Sequence, residues 1–197
     1  MISIIKYELM RGLTYRAIRH DYMRAYTTTI PVIGAILIYV VYLLLPIRPE
    51  FLGEEGIVKS AFDIIVTLPG FYFAGLAAVA TLGNVSMDKV MPHPAPRAWI
   101  KSNGVWIDVE LSRRQFLSYV FSYLVLISFV LCVIFALIMS FEDHISCVGT
   151  LDFSSPVSIL SYIAIQCFGF SILMMFLSMV TTTLHGMYFL TERVHQP

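Results

Sequence analysis

Four stretches of the chain contain no Asp, Glu, Lys or Arg: between Arg24 and Arg48, Asp63 and Asp88, Arg114 and Glu142, and Asp152 and Glu192. A bilayer's hydrocarbon core is about 30 Å thick and is crossed by about 20 apolar helical residues, so each stretch is long enough to span it. None alternates with the period of two that a barrel strand needs, and a backbone in lipid is satisfied only in helices or closed barrels. The pattern predicts an all-α integral membrane protein with transmembrane helices at residues 25–47, 64–87, 115–141 and 153–191. The last stretch would be about 58 Å long as a helix, nearly twice the need, so its end from Thr181 through His185, Gly186 and Tyr188 is expected to project into the cytoplasm.

The segments between these spans have patterns of their own. Residues 1–24 are expected to form an amphipathic helix, with Ile2, Ile5, Leu9 and Leu13 on one face. It either lies on the inner leaflet or packs on the inner ends of the spans. Gly12 marks a phase change, beyond which Tyr15, Ile18 and Tyr22 form a second stripe. Thr27 to Thr29 offer an N-cap for the first span, Pro31 suits its first turn, and Pro46 and Pro49 end it. In the second span Pro69-Gly70 should kink the helix or unwind a turn. Below that point Gly70, Ala74 and Ala78 recur every four residues, a spacing that lets another helix approach closely.

Segment 88–114 predicts a small β-hairpin between helices 2 and 3. Pro92, Pro94 and Pro96 stiffen its approach, and Asn103-Gly104 is a strong two-residue turn signal. That turn pairs Ser102 with Val105, Ile100 with Ile107 and Ala98 with Val109 on one face. On the other it pairs Lys101 with Trp106, Trp99 with Asp108 and Arg97 with Glu110. A two-stranded hairpin is marginal alone, so it must lean on something. Ser112 caps the next helix, Arg113 and Arg114 anchor its end, and Tyr119 and Tyr123 fall near the aromatic belt.

Composition agrees with lipid as solvent: 58% of the 197 residues are hydrophobic and 13% charged. Charge adds the orientation. Of 13 Lys and Arg, five precede the first span, five lie between spans two and three, and Arg193 follows the fourth; only Arg48 and Lys59 fall on the other side. This places both termini and the hairpin in the cytoplasm, with 48–63 and 142–152 as extracytoplasmic loops and 192–197 as a cytoplasmic tail. The first span is expected to act as a retained signal-anchor. Lys6, Arg11, Arg16 and Arg19 are candidate contacts to the anionic leaflet of a bacterial inner membrane.

Candidate chemistry is sparse. Mid-span ionisable groups, which mark proton relays and ion paths, are missing, and no His-Glu-x-x-His occurs. His93, His185 and His195 match no ligand spacing, and Cys132, Cys147 and Cys167 form no C-x-x-C pair. No cofactor is expected and no direct nucleic-acid binding. Thr67, Thr81, Gln166, Ser171 and Ser178 are the candidates to line a polar path, a thin set.

The layout of four spans, a basic start, a kinked second span, a Pro-rich hairpin and Leu111-Ser112-Arg113-Arg114-Gln115-Phe116-Leu117 opening the third span resembles the KwaA-like membrane subunits of bacterial Kiwa anti-phage defence systems. The resemblance covers the whole architecture and rests on no diagnostic motif. It implies a non-enzymatic homo-oligomer, a tetramer, that senses infection and holds a DNA-binding cytoplasmic partner of the KwaB kind. The residues themselves supply a docking surface in Arg97, Trp99, Lys101 and Trp106, residue types enriched at interfaces. A pore or depolarising effector is the alternative, and a membrane enzyme of undefined chemistry is a third class.

Overall fold

The computed structural model describes residues 10–20, 22–46, 56–81, 85–102, 104–141 and 156–193. Lys6, Cys147, His195, residues 2–9 and the predicted loop 142–152 lie outside them. Four helices are long and apolar enough to cross a membrane: Ala25–Leu44, Ile57–Thr81, Arg113–Ser140 and Ile159–Glu192. We label α1 Ile30–Leu44, α2 Ile57–Ile65, α3 Leu68–Thr81, α4 Arg113–Ser140 and α5 Pro156–Tyr188, with strands β1 Arg97–Ser102 and β2 Val105–Glu110.

Several boundaries differ from the sequence reading. Thr27 to Thr29 do not cap the first helix, because they lie in a wide π turn, Ala25–Thr29, that runs directly into α1. The reason is Pro31, whose ring crowds the carbonyl four residues back; a wider turn accommodates it, and the Thr27 hydroxyl donates to the Met23 carbonyl at 2.8 Å. The second helix begins at Ile57, inside the predicted loop 48–63, where Lys59 and Asp63 pair one turn apart at 3.0 Å. Charges at a helix end do not stop a helix, only its lipid-facing part.

The second helix breaks at Val66-Thr67, just before Pro69. Pro69 has no N–H to give the Ile65 carbonyl, and the Cys132 thiol of α4 donates to that oxygen at 3.6 Å instead. The broken turn is thus repaired from the neighbouring helix.

The helices stand in a row: α1 packs on α5, α5 on α4, and α4 on α2 and α3. Chain order makes every neighbour antiparallel. α4 is the core of the row, with 39% of its most apolar window buried against 17% for each of the other three. Leu117, Val120, Leu124 and Leu131 are almost fully enclosed.

Close approach of α3 to α4 is set by Gly75, where an added Cβ would lie 2.6 Å from the Phe121 ring. Gly70, Ala74 and Ala78 point the other way: all three are exposed, and a Cβ on Gly70 would meet nothing within 4 Å. The small-residue stripe therefore packs no helix within the chain. Gly75→Leu should lower thermal stability in detergent by about 1–3 kcal/mol, with Phe121→Ala partly restoring it, while Ala74→Leu leaves monomer stability unchanged. Equal losses from the two leucine substitutions would contradict this assignment of faces.

Candidate functional site

The hairpin has the register that the turn dictates. All six pairs form, from Arg97 opposite Glu110 to Ser102 opposite Val105, and Gly104 takes φ 83°, the left-handed conformation that glycine tolerates. What it leans on is the N-terminal segment. Arg19 donates its N–H to the Arg97 carbonyl at 2.9 Å and accepts from the Arg97 N–H at 3.1 Å, a one-residue third strand on the edge of β1. Its side chain pairs with Asp108 and lies 5.3 Å from the Trp99 ring centre, adding an ion pair and a cation–π contact.

The predicted amphipathic helix over 1–24 is consequently interrupted. Its described part is a 3-10 turn, Met10–Leu13, and one α turn, Thr14–Ala17, after which Ile18 turns extended to reach the hairpin. Tyr15 and Ile18 are buried, so this part packs on the helices; Tyr22 is 70% exposed and leaves the stripe. Of the leaflet candidates, Arg16 is exposed, Arg11 donates to the Tyr119 hydroxyl at 2.9 Å, and Arg19 serves the hairpin.

Burial divides the hairpin into base and tip. Ala98 at the base is 1% exposed, whereas Val105 and Ile107 toward the tip are 64% and 47% exposed, so the apolar face is covered only in part. Trp99 and Trp106 are each about half exposed on the opposite face, with Lys101 opposite Trp106 and Arg97 within 4.0 Å of Glu110 and 3.6 Å of Asp108. The four predicted docking residues are brought together on one face.

The base is fixed to α4 through a cap and a clasp. The Ser112 hydroxyl accepts from the Gln115 N–H and Gln115 returns a bond to the Ser112 N–H, a reciprocal capping box. Arg114 is the clasp: its fork grips Asp88 at 2.7 and 3.2 Å, and a third N–H donates to the Val79 and Ala80 carbonyls at the end of α3. One arginine thus ties the end of α3 to the first turn of α4. Arg114 is expected from the sequence to anchor the end of the third span, and its partner Asp88, 26 residues away, is not legible from local pattern.

Beside the hairpin base one face of the end of α5 is covered, with Thr182, Gly186 and Phe189 buried, while Leu184, Met187 and Tyr188 are exposed. His185 stacks on Tyr26 with ring centres 4.5 Å apart and its Nδ1 is 2.9 Å from the Tyr15 hydroxyl. Burial holds that hydroxyl well above the usual tyrosine range. A cavity of about 280 Å³ opens here, bounded by His20, Tyr22, Tyr26, Pro96, Phe116 and His185. Tyr119 and Tyr123, expected at the aromatic belt, are 7% and 1% exposed; Tyr123 instead hydrogen-bonds Ser178 of α5 at 2.7 Å. Among the described residues no three His, Cys, Asp or Glu groups converge to hold a metal.

No protein family, curated protein or solved structure matches the chain.

Both members of the Arg19–Asp108 pair are partly solvated, so the pair is worth about 0.2–1 kcal/mol. Asp108→Asn should accordingly speed amide exchange at Arg19 and Arg97 a few-fold without altering helix content. Unchanged exchange would mean that the backbone bridge alone holds the hairpin.

Proposed function

We propose that this chain is a non-enzymatic scaffold and sensor of a bacterial inner membrane, oriented with both termini and the hairpin in the cytoplasm, that docks a cytoplasmic protein on the tryptophan face of the hairpin. The observation that carries the reading is the division between a hairpin base pinned by Arg19, Ala98 and Ser112 and a face that leaves two tryptophans half exposed beside basic residues. Rigid backing with an aromatic and basic surface is what a partner-binding hot spot requires. The resemblance to KwaA-like subunits of Kiwa defence supports the same direction and adds a homo-oligomer, a tetramer, with a DNA-binding partner of the KwaB kind. The row of helices suits assembly, since it leaves broad apolar faces and the Gly70, Ala74 and Ala78 stripe for other copies or lipid.

A pore is the second reading, and polar groups inside the row speak against it. Gln166 accepts from the Tyr39 hydroxyl at 2.6 Å and Ser178 is 4% exposed against Tyr123, so both serve helix pairs within one chain. Thr67, Thr81 and Ser171 return their hydroxyls to their own helices.

Two experiments test the proposal. Cysteine labelling from outside the cell should reach positions in 50–56 and 143–151 and none in 97–110; labelling of the hairpin would reverse the topology. The double change Trp106→Ala with Lys101→Glu should abolish partner co-purification, a loss of about 30-fold or more in affinity, while membrane insertion and oligomer size stay as in wild type. Co-purification at wild-type yield would make the tryptophans headgroup anchors.

A further inference from the structure

The end of α5 and the hairpin are bridged by a short piece of chain. α5 packs chiefly on α1 and α4, and the two strands chiefly on each other, whereas the segment from Tyr15 to Arg19 holds both. At its start the Tyr15 side chain is fully buried, with its ring 5.3 Å from that of Tyr123 and its hydroxyl 2.9 Å from His185 Nδ1 on α5. At its finish Arg19 exchanges a backbone hydrogen bond in each direction with Arg97 and pairs with Asp108.

We propose that this segment is a strap that transmits displacement of the α5 end to the docking face of the hairpin, with the Tyr15 hydroxyl as its latch on α5 and Thr182 as a second seat for that latch. The strap rests on the sensor reading above for its use, because it carries a change among the membrane helices to the face that binds a partner. The coupling itself is a property of the chain alone.

Length gives the first argument. Four peptide steps from Tyr15 to Arg19 reach about 13 Å at most when extended, and the helical turn Thr14–Ala17 shortens that reach. Ile18, extended and 5% exposed, is itself buried between the two anchors. A link this short with a buried middle has no slack to absorb a shift at one end. The hairpin anchor is also weak enough to respond, since it consists of one residue of ladder and a partly solvated ion pair.

Thr182 gives the second. On either side of it Thr181 and Thr183 return their hydroxyls to the Leu177 and Met179 carbonyls, as threonines inside a helix do. The Thr182 hydroxyl is fully buried and has no hydrogen-bond partner among the described residues, yet it faces the Tyr15 hydroxyl. Thr182 and His185 are three residues apart, so both lie on one face of α5. A buried hydroxyl left unsatisfied is costly, and the donor already beside it is the one that can satisfy it. Tyr15 can therefore pair with His185, as here, or with Thr182, about 4.5 Å back along the helix axis. Two discrete seats on one helix face are what coupling between separated sites requires.

The test reads amide exchange on the full chain in mild detergent. Tyr15→Phe keeps the ring and removes the latch, and it should speed exchange at the Arg19 and Arg97 amides by up to about fivefold, the effect of one neutral hydrogen bond. The Met91 amide, which donates to the Leu111 carbonyl on the other side of the hairpin base, should keep its wild-type rate. Tyr15→Phe combined with Asp108→Asn should speed the Arg19 and Arg97 amides by less than the product of the single effects, since both changes act on one strap. His185→Phe should do less than Tyr15→Phe because Thr182 takes the hydroxyl, and His185→Phe with Thr182→Val should match Tyr15→Phe. Unchanged exchange at Arg97 in Tyr15→Phe overturns the strap, and equal acceleration at Met91 marks a general loosening that overturns it too. His185→Phe alone matching Tyr15→Phe overturns the two-seat latch. No partner enters these measurements, so the docking reading, tested by the change at Trp106 and Lys101, and the strap can each fail while the other stands.

Discussion

In lipid, helices gain little from hiding apolar surface against one another, since the tails are as apolar as the side chains; close approach and polar contacts must hold them. Gly75 against Phe121 is where this constraint acts most directly, because α3 and α4 can touch there only while position 75 has no side chain. Gly186 plays a milder version of the same part on the other flank, where an added Cβ would stand 3.2 Å from Val120. With α4 gripped on both sides, polar clasps complete the row. Tyr123 meets Ser178, Tyr72 reaches Thr183 at 2.8 Å, Tyr39 meets Gln166, and Cys132 covers the carbonyl that Pro69 leaves open. Hydrogen bonds of this kind are worth about 0.6 kcal/mol each in a membrane, so they set register more than they supply stability.

The parts of the fold legible in the sequence are those that local chemistry decides. Four charge-free runs coincide with four helices because each is long and apolar without the period-two alternation of a barrel strand, and Asn103-Gly104 gives the hairpin register because only one turn geometry fits it. The Ser112 cap is equally local. What the sequence does not disclose depends on distant partners. Arg19 reads as one more membrane-facing basic residue until Arg97 and Asp108 are beside it, and Tyr119 reads as belt until Arg11 and the N-terminal turn cover it. The small-residue stripe is a case of right chemistry and undetermined direction: the spacing of Gly70, Ala74 and Ala78 permits a close neighbour, yet within the chain that neighbour is taken by the face of Gly75.

The same distinction runs through the hairpin. Alternation assigns Trp99, Lys101 and Trp106 to one face, and the register of the structure puts them there, with both tryptophans about half exposed. The other face is buried at Ala98, half-buried at Ile100 and Val109, and exposed at Val105 and Ile107. A six-residue arm extends beyond the part that Arg19 can brace, because one residue of third strand supplies only one pair of ladder bonds. The arm is thus stiff near the helices and increasingly dependent on its own turn toward Gly104.

The order of the row also constrains how the chain is built as it leaves the ribosome. The second and third apolar helices are neighbours in sequence and in space, so they can pair as soon as both are inserted. The first cannot: its partner α5 is the last to be made, and the Tyr39 hydroxyl waits for Gln166, 127 residues downstream. Until then α1 lacks its main helix neighbour, and the segment before it can meet the hairpin through Arg19 but has no His185 for Tyr15 to settle against. The segment carrying Tyr15 is therefore among the last parts of the chain to reach its final place, and a chain truncated before α5 would retain the second and third helices as a pair while leaving the first without its partner.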